Sequence, residues 1–84
     1  MSHVPHELHE EFPEAAEMMH ALKSSDAHFA RLAEEYHTVN RQVHRIETDL
    51  EPATDETLED LKKTRLSLKD QIAAFLAAAA NTAS

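Results

Sequence analysis

The stretch FARLAEEYHTVNRQVHRIETDL, residues 29–50, carries the pattern on which the fold turns. Its large apolar residues are Phe29, Leu32, Tyr36, Val39, Val43, Ile46 and Leu50, and the steps between them run 3, 4, 3, 4, 3, 4. Helical side chains share a face every three or four residues, so the spacing predicts one helix, over 26–50, with a continuous apolar stripe. Held for three heptads, it reads as a coiled-coil seam with Phe29, Tyr36, Val43 and Leu50 at a and Leu32, Val39 and Ile46 at d.

Downstream the same rhythm returns. Leu58, Leu61, Arg65, Leu68, Ile72, Phe75 and Ala79 are again spaced 3, 4, 3, 4, 3, 4. Glu51-Pro52-Ala53 separates the two stripes, and Thr54-Asp55-Glu56 restarts the chain with a capping hydroxyl and two first-turn acids. A second helix is predicted over 55–78, with a frayed tail at 79–84. Two seams of equal length joined by a short loop make an antiparallel hairpin. Pairing positions that sum to 104 sets Phe29 against Phe75, Leu32 against Ile72, Tyr36 against Leu68, Val43 against Leu61 and Ile46 against Leu58. Arg65, opposite Val39, is the exception. Either its stem packs and its guanidinium reaches the rim, or it selects register or partner by meeting a carboxylate of another chain.

Upstream, prolines punctuate. Pro5 suits the first position of a short helix over 5–11. Phe12 precedes Pro13 and is pushed off helical dihedrals, and a second short helix follows over 14–23. Ser24-Ser25-Asp26 then supplies the start signal of the first long helix. Leu8, Phe12, Met18, Met19 and Leu22 form the apolar side of this N-terminal part and are expected to cap the open end of the hairpin. The predicted fold is therefore all-α: an antiparallel two-helix coiled-coil hairpin with one or two short N-terminal helices packed over its open end, in a single domain. Two helices bury one stripe each, which hardly offsets the entropy of ordering them. Leu66 and Leu76 widen the apolar face further, so a homo-oligomer is expected, most simply a dimer forming a four-helix bundle.

Composition excludes much chemistry. The 84 residues contain no cysteine and no glycine. That removes disulfides, thiolate sites and the Gly-dependent phosphate cradles. Sixteen acids against eight Lys and Arg give a net charge of -8, which disfavours nucleic acid as a partner. No apolar run reaches membrane-spanning length. The polar, acidic start does not resemble a signal peptide, and the expected location is cytoplasmic.

Four sets of residues invite a functional reading. His3, His6 and His9 lie three apart, but H-E-L-H is one residue short of the H-E-x-x-H zinc signature. His6 and His9 remain as weak metal candidates, and no cofactor is expected. The first 22 residues hold five glutamates, four histidines and no Lys or Arg; acidification through about pH 6.5 would take them from -5 towards -1, a swing able to alter how the cap sits. His37 and His44, beside Arg41 and Arg45, read as a solvated face, and His28 as partly buried against the cap. The hairpin tip is acidic, with Glu47, Asp49, Glu51, Asp55 and Glu56 followed by Glu59 and Asp60. It lacks the spacing and the Gly of a calcium loop but could dock a basic protein. Lys62, Lys63, Arg65 and Lys69 form a basic cluster, for which i,i+4 pairing such as Glu59–Lys63 is the plain explanation. Ser25, Asp26 and His28 are close in sequence, but no pocket is expected to gather them as a triad, and the chain reads as a non-enzyme.

The pieces P-H-E-L (Pro5–Leu8), E-E-F-P-E (Glu10–Glu14), D-A-H-F-A-R-L-A-E-E-Y-H (Asp26–His37), the acid-rich tip and L-K-K-T-R-L-S-L-K-D (Leu61–Asp70) resemble the small bacterial YdcH-like proteins, a domain-of-unknown-function family. The likeness runs to about Leu76 and leaves out the Ala-rich end. It implies a short, helical, coiled-coil-like bacterial protein with no assigned activity and no catalytic residues to carry over. His6 and Arg65 fall inside the family-like pieces, whereas His9 departs from them. Together these readings favour a self-associating interaction module. A metal- or pH-responsive regulator using the N-terminal histidines, and a small nucleic-acid-associated factor, are the alternatives.

Overall fold

The computed structural model describes residues 4–82, with the side chain of Thr82 left aside. His3 and the last two residues of the expected tail lie outside that span. Among the described residues four helices occur in the order α1 (Leu8–Glu11), α2 (Ala16–Ser25), α3 (Ala27–Glu47) and α4 (Asp55–Thr82), with a 3-10 turn over Pro13–Ala15 leading into α2. α3 and α4 pack against each other as the hairpin, and α2 packs on α3 at the end away from the loop. No helix among the described residues is long and apolar enough to cross a membrane.

Local chemistry explains each boundary. Asp26, in extended conformation, caps α3 by accepting the His28 and Phe29 N–H groups at 2.9 and 3.1 Å. The preceding serines do not cap; Ser25 Oγ bonds back to the Ala21 carbonyl at 2.9 Å and finishes α2. At the other end of α3, Asp49 adopts a left-handed conformation, φ 62°. The Asp49 N–H meets the Ile46 carbonyl at 3.1 Å and the Leu50 N–H meets the Arg45 carbonyl at 2.9 Å. That pair of bonds is a Schellman closure, with aspartate standing where glycine is usual in a chain that has none. It ends α3 at Glu47, short of the expected residue 50. Leu50 is swung out of the seam and left 74 % exposed, a correction to its assignment as an a residue.

α4 starts with Thr54 accepting the Thr57 N–H at 3.0 Å and runs on to Thr82, beyond the expected end at 78. At the N-terminus Pro5 is not the first helical residue. Pro5 and His6 form a turn in which His6 is left-handed, φ 63°, and α1 begins only at Leu8. The Glu7 N–H donates to the Glu10 carboxylate at 3.3 Å to start it. Phe12, at φ -131° and ψ 63°, breaks the chain before Pro13.

The buried core gathers Met19, Phe29, Leu32, Ala33, Tyr36, Leu68, Ile72 and Leu76, with Leu8, Phe12, Met18, Leu22, Val39 and Phe75 packed against it. The Phe29 and Phe75 rings meet edge to face at 5.3 Å, a pair that sums to 104. On α3 burial follows Phe29, Ala33, Tyr36, Asn40 and Val43, with Leu32, while Val39 and Ile46 are only half-buried. The stripe thus turns from a and d towards a and e. A helix covered by a third element needs that wider face. Near the loop, where no third element lies, Ile46, Leu58 and Leu61 are half-buried. Leu66 is 58 % exposed and adds nothing to the hairpin's own core.

Candidate functional site

Side-chain polar chemistry concentrates where residues 4–11 cross the hairpin. Tyr36 is 1 % exposed and Asn40 fully buried, both on the inner face of α3. The Tyr36 O–H donates to the His6 carbonyl at 2.6 Å, and Asn40 Nδ2 donates to the Pro5 carbonyl at 2.9 Å. Arg65 Nη1, from α4, donates to Asn40 Oδ1 at 3.0 Å. Both ends of the Asn40 amide are thereby used, and among the described residues no buried side-chain polar atom lacks a partner. A buried amide left unpaired would cost about 1–3 kcal/mol, so the three side chains act as a latch on residues 4–11, the N-terminal strap. They also hold His6 in a backbone region that disfavours a residue with a Cβ by roughly 1–2 kcal/mol.

Arg65 therefore meets Asn40 of its own chain, across the hairpin. The heptad reading, which set Arg65 opposite Val39, did not anticipate this contact with Asn40. Asn40 is the buried polar residue that the heptad reading missed. Its position, e in the heptad and one step from the pairing partner of Arg65, was the available signal.

Charged contacts extend the latch. Glu7 Oε2 lies 3.2 Å from His37 Nδ1, and Glu11 lies 2.8 Å from Lys69 Nζ and 3.5 Å from His6 Nδ1. His37 thus faces the strap and is half-buried, not part of a solvated stripe. The hydrogen bond from Lys69 holds the Glu11 carboxyl below the usual carboxylate range, against partial burial acting the other way. Burial, aided by the negative charges of Glu11 and Glu7, pushes the Tyr36 phenol up to about 12, with Arg65 opposing.

The other candidate sets are placed as follows. His9, His20 and His37 line one shallow pocket with Glu7 and Lys23. Among the described residues no three His, Cys, Asp or Glu side chains converge closely enough to hold a metal ion. His28 stacks on Phe75 at 5.7 Å. Asp26 is taken up as the α3 cap, so the Ser25, Asp26 and His28 trio is not assembled. At the tip Glu47 pairs with Lys62 at 3.1 Å and Glu51 with Arg45 at 3.4 Å, whereas Asp49, Asp55 and Glu56 are exposed. Of the basic cluster, Lys62, Arg65 and Lys69 are engaged by Glu47, Asn40 and Glu11, and Lys63 is exposed.

Comparison with known proteins adds one finding. The model of a family described as Protein of unknown function (DUF465) matches residues 29–76, more than half of the chain. The matched span is the hairpin from Phe29 to Leu76 and stops short of the strap. No curated protein and no solved structure matches.

Proposed function

The chain belongs to the DUF465 family, which includes the YdcH-like proteins, and from that premise we propose that it is a non-catalytic, cytoplasmic interaction module that pairs with a second copy of itself. The observation that carries this reading is the uneven burial of the hairpin. Of the nine buried apolar residues, Val43 alone stands outside the cluster at the capped end. Apolar side chains remain in contact with water at both ends of the hairpin: towards the loop Ile46, Leu58 and Leu61 are half-buried and Leu50 and Leu66 exposed, and at the capped end Phe12, Ala15 and Met18 are half-buried and Ala77 and Ala80 exposed. Association removes such surface from water at roughly 25 cal/mol per Å².

The polar residues support the same reading, because those best suited to chemistry are engaged in holding the strap. The acidic tip, with Asp49, Asp55 and Glu56 outside any ion pair among the described residues, offers a surface for a basic protein partner. Light scattering tests the pairing. A mass twice the 9.5 kDa of one chain is expected at micromolar concentration, and a monodisperse monomer there would rule the reading out.

A further inference from the structure

An open groove of about 500 Å³ lies at the capped end of the molecule, between Phe12, Ala15 and Met18 on one side and Leu76, Ala77 and Ala80 of α4 on the other. We propose that a second copy of the chain occupies this groove, seating its own α4 end there about a two-fold axis near Ala77. The inference rests on the self-association reading and places its interface.

Electrostatics selects the occupant. Each copy carries a net charge of -8, so two copies repel unless they meet where charge is absent. The hairpin tip also leaves apolar surface open, but seven carboxylates crowd residues 47–60, and a two-fold contact would set seven against seven. Beyond Asp70 the sequence has no charged residue at all. The charged side chains lining the groove are Glu11 and Glu14, and Glu11 is already paired with Lys69. A basic partner would be drawn to the tip; a largely apolar groove, with Glu14 at its rim, suits another copy of the chain. Two-fold pairing also makes the surface self-complementary, so the small residues of one α4 allow the other to approach closely.

The length of α4 supports the same occupant. α4 has 28 residues and α3 has 21. With Phe29 set against Phe75, α3 begins about level with Ala77, and the last helical residues of α4 extend past it. Short helical segments rely on tertiary packing for stability, and the partner's groove supplies it.

Sedimentation equilibrium on the full chain and three variants tests the placement. Ala77 is exposed and glutamate is a good helix former, so Ala77→Glu keeps its helicity by circular dichroism. Two carboxylates near the axis should then weaken the dimer at least about 100-fold. Leu66→Glu, away from the groove, should sediment as wild type. Glu14→Gln, which removes a rim charge, should tighten the dimer about threefold. An Ala77→Glu protein that stays as dimeric as wild type overturns the placement while leaving self-association intact on another face. So does a Leu66→Glu protein that dissociates as far as Ala77→Glu, or a Glu14→Gln dimer no tighter than wild type. A wild-type chain that is monomeric throughout overturns both proposals.

Discussion

Tyr36 is the one tyrosine of the chain, so phenolate absorbance near 295 nm reports a single buried hydroxyl. In the fold that hydroxyl donates to the His6 carbonyl at 2.6 Å and its ionisation is pushed up to about 12, against about 10 when unfolded. A folded-state value above the unfolded one means that the native state holds its proton more tightly. The resulting stability is fully present below pH 10 and is lost as pH rises from about 10 towards 12. At 1.36 kcal/mol per unit the two-unit difference is worth about 2.7 kcal/mol once the phenol would be ionised in both states. Lysines lose their charge over the same range, so the measurement is a comparison. Urea unfolding of wild type and Tyr36→Phe, followed by circular dichroism at pH 9 and near pH 11.5, should show wild type losing roughly 2 kcal/mol more than the variant. Absorbance at 295 nm should stay low for as long as the helical signal persists. A phenolate that forms with a midpoint near 10 while helicity is intact, or equal alkaline losses in the two proteins, would refute the buried donor.

Asn40→Ala leaves the Pro5 carbonyl and the Arg65 guanidinium without their partner; urea unfolding should register a loss of about 2 kcal/mol, and adding Arg65→Met should cost less than the sum of the single changes, because the residues share one contact. Ile72→Ala empties a fully buried site and should cost about 2–5 kcal/mol, whereas Leu50→Ala at the exposed turn should stay within about 0.5 kcal/mol. For Glu11 the sign is opposite to that of Tyr36: its lowered ionisation stabilises the fold above the ordinary carboxylate range and that contribution disappears as pH falls through the lowered value, so Glu11→Gln should flatten the acid limb of a stability–pH curve.

Periodicity was enough to read the hairpin. Two stripes stepping 3 and 4 can be satisfied only by two helices facing each other, and a loop this short makes them antiparallel. What a heptad template cannot register is a third element on the flank. The strap recruits the e positions Ala33 and Asn40 into the buried face, and an e-position asparagine looks like solvated surface until the chain that covers it is placed. Leu50 was misread for a different reason. Its spacing fits the seam, but the helix stops because Asp49 takes a left-handed conformation, a choice of aspartate over glycine that apolar periodicity does not contain. Pro5 was placed inside a helix on general preference, whereas Tyr36 and Asn40 draw the Pro5 and His6 carbonyls into a turn from thirty or more residues away. The histidines follow the same logic. Their even spacing suggested a ligand set, and the fold instead sends His6 and its neighbour Glu7 to separate partners.

The latch and the groove both exist only if residues 4–25 fold back onto the hairpin, because Phe12, Ala15 and Met18 form one wall and the Pro5 and His6 carbonyls fill the latch. Nuclear Overhauser contacts from the single Tyr36 ring test this most directly, recorded on uniformly labelled protein and again after mixing with unlabelled chain to separate contacts within and between copies. Cross-peaks from the Tyr36 ring to Pro5 and His6 within one chain are the expected result. A Tyr36 ring that shows its contacts to the α4 core but none to Pro5 or His6 would contradict the folded-back strap.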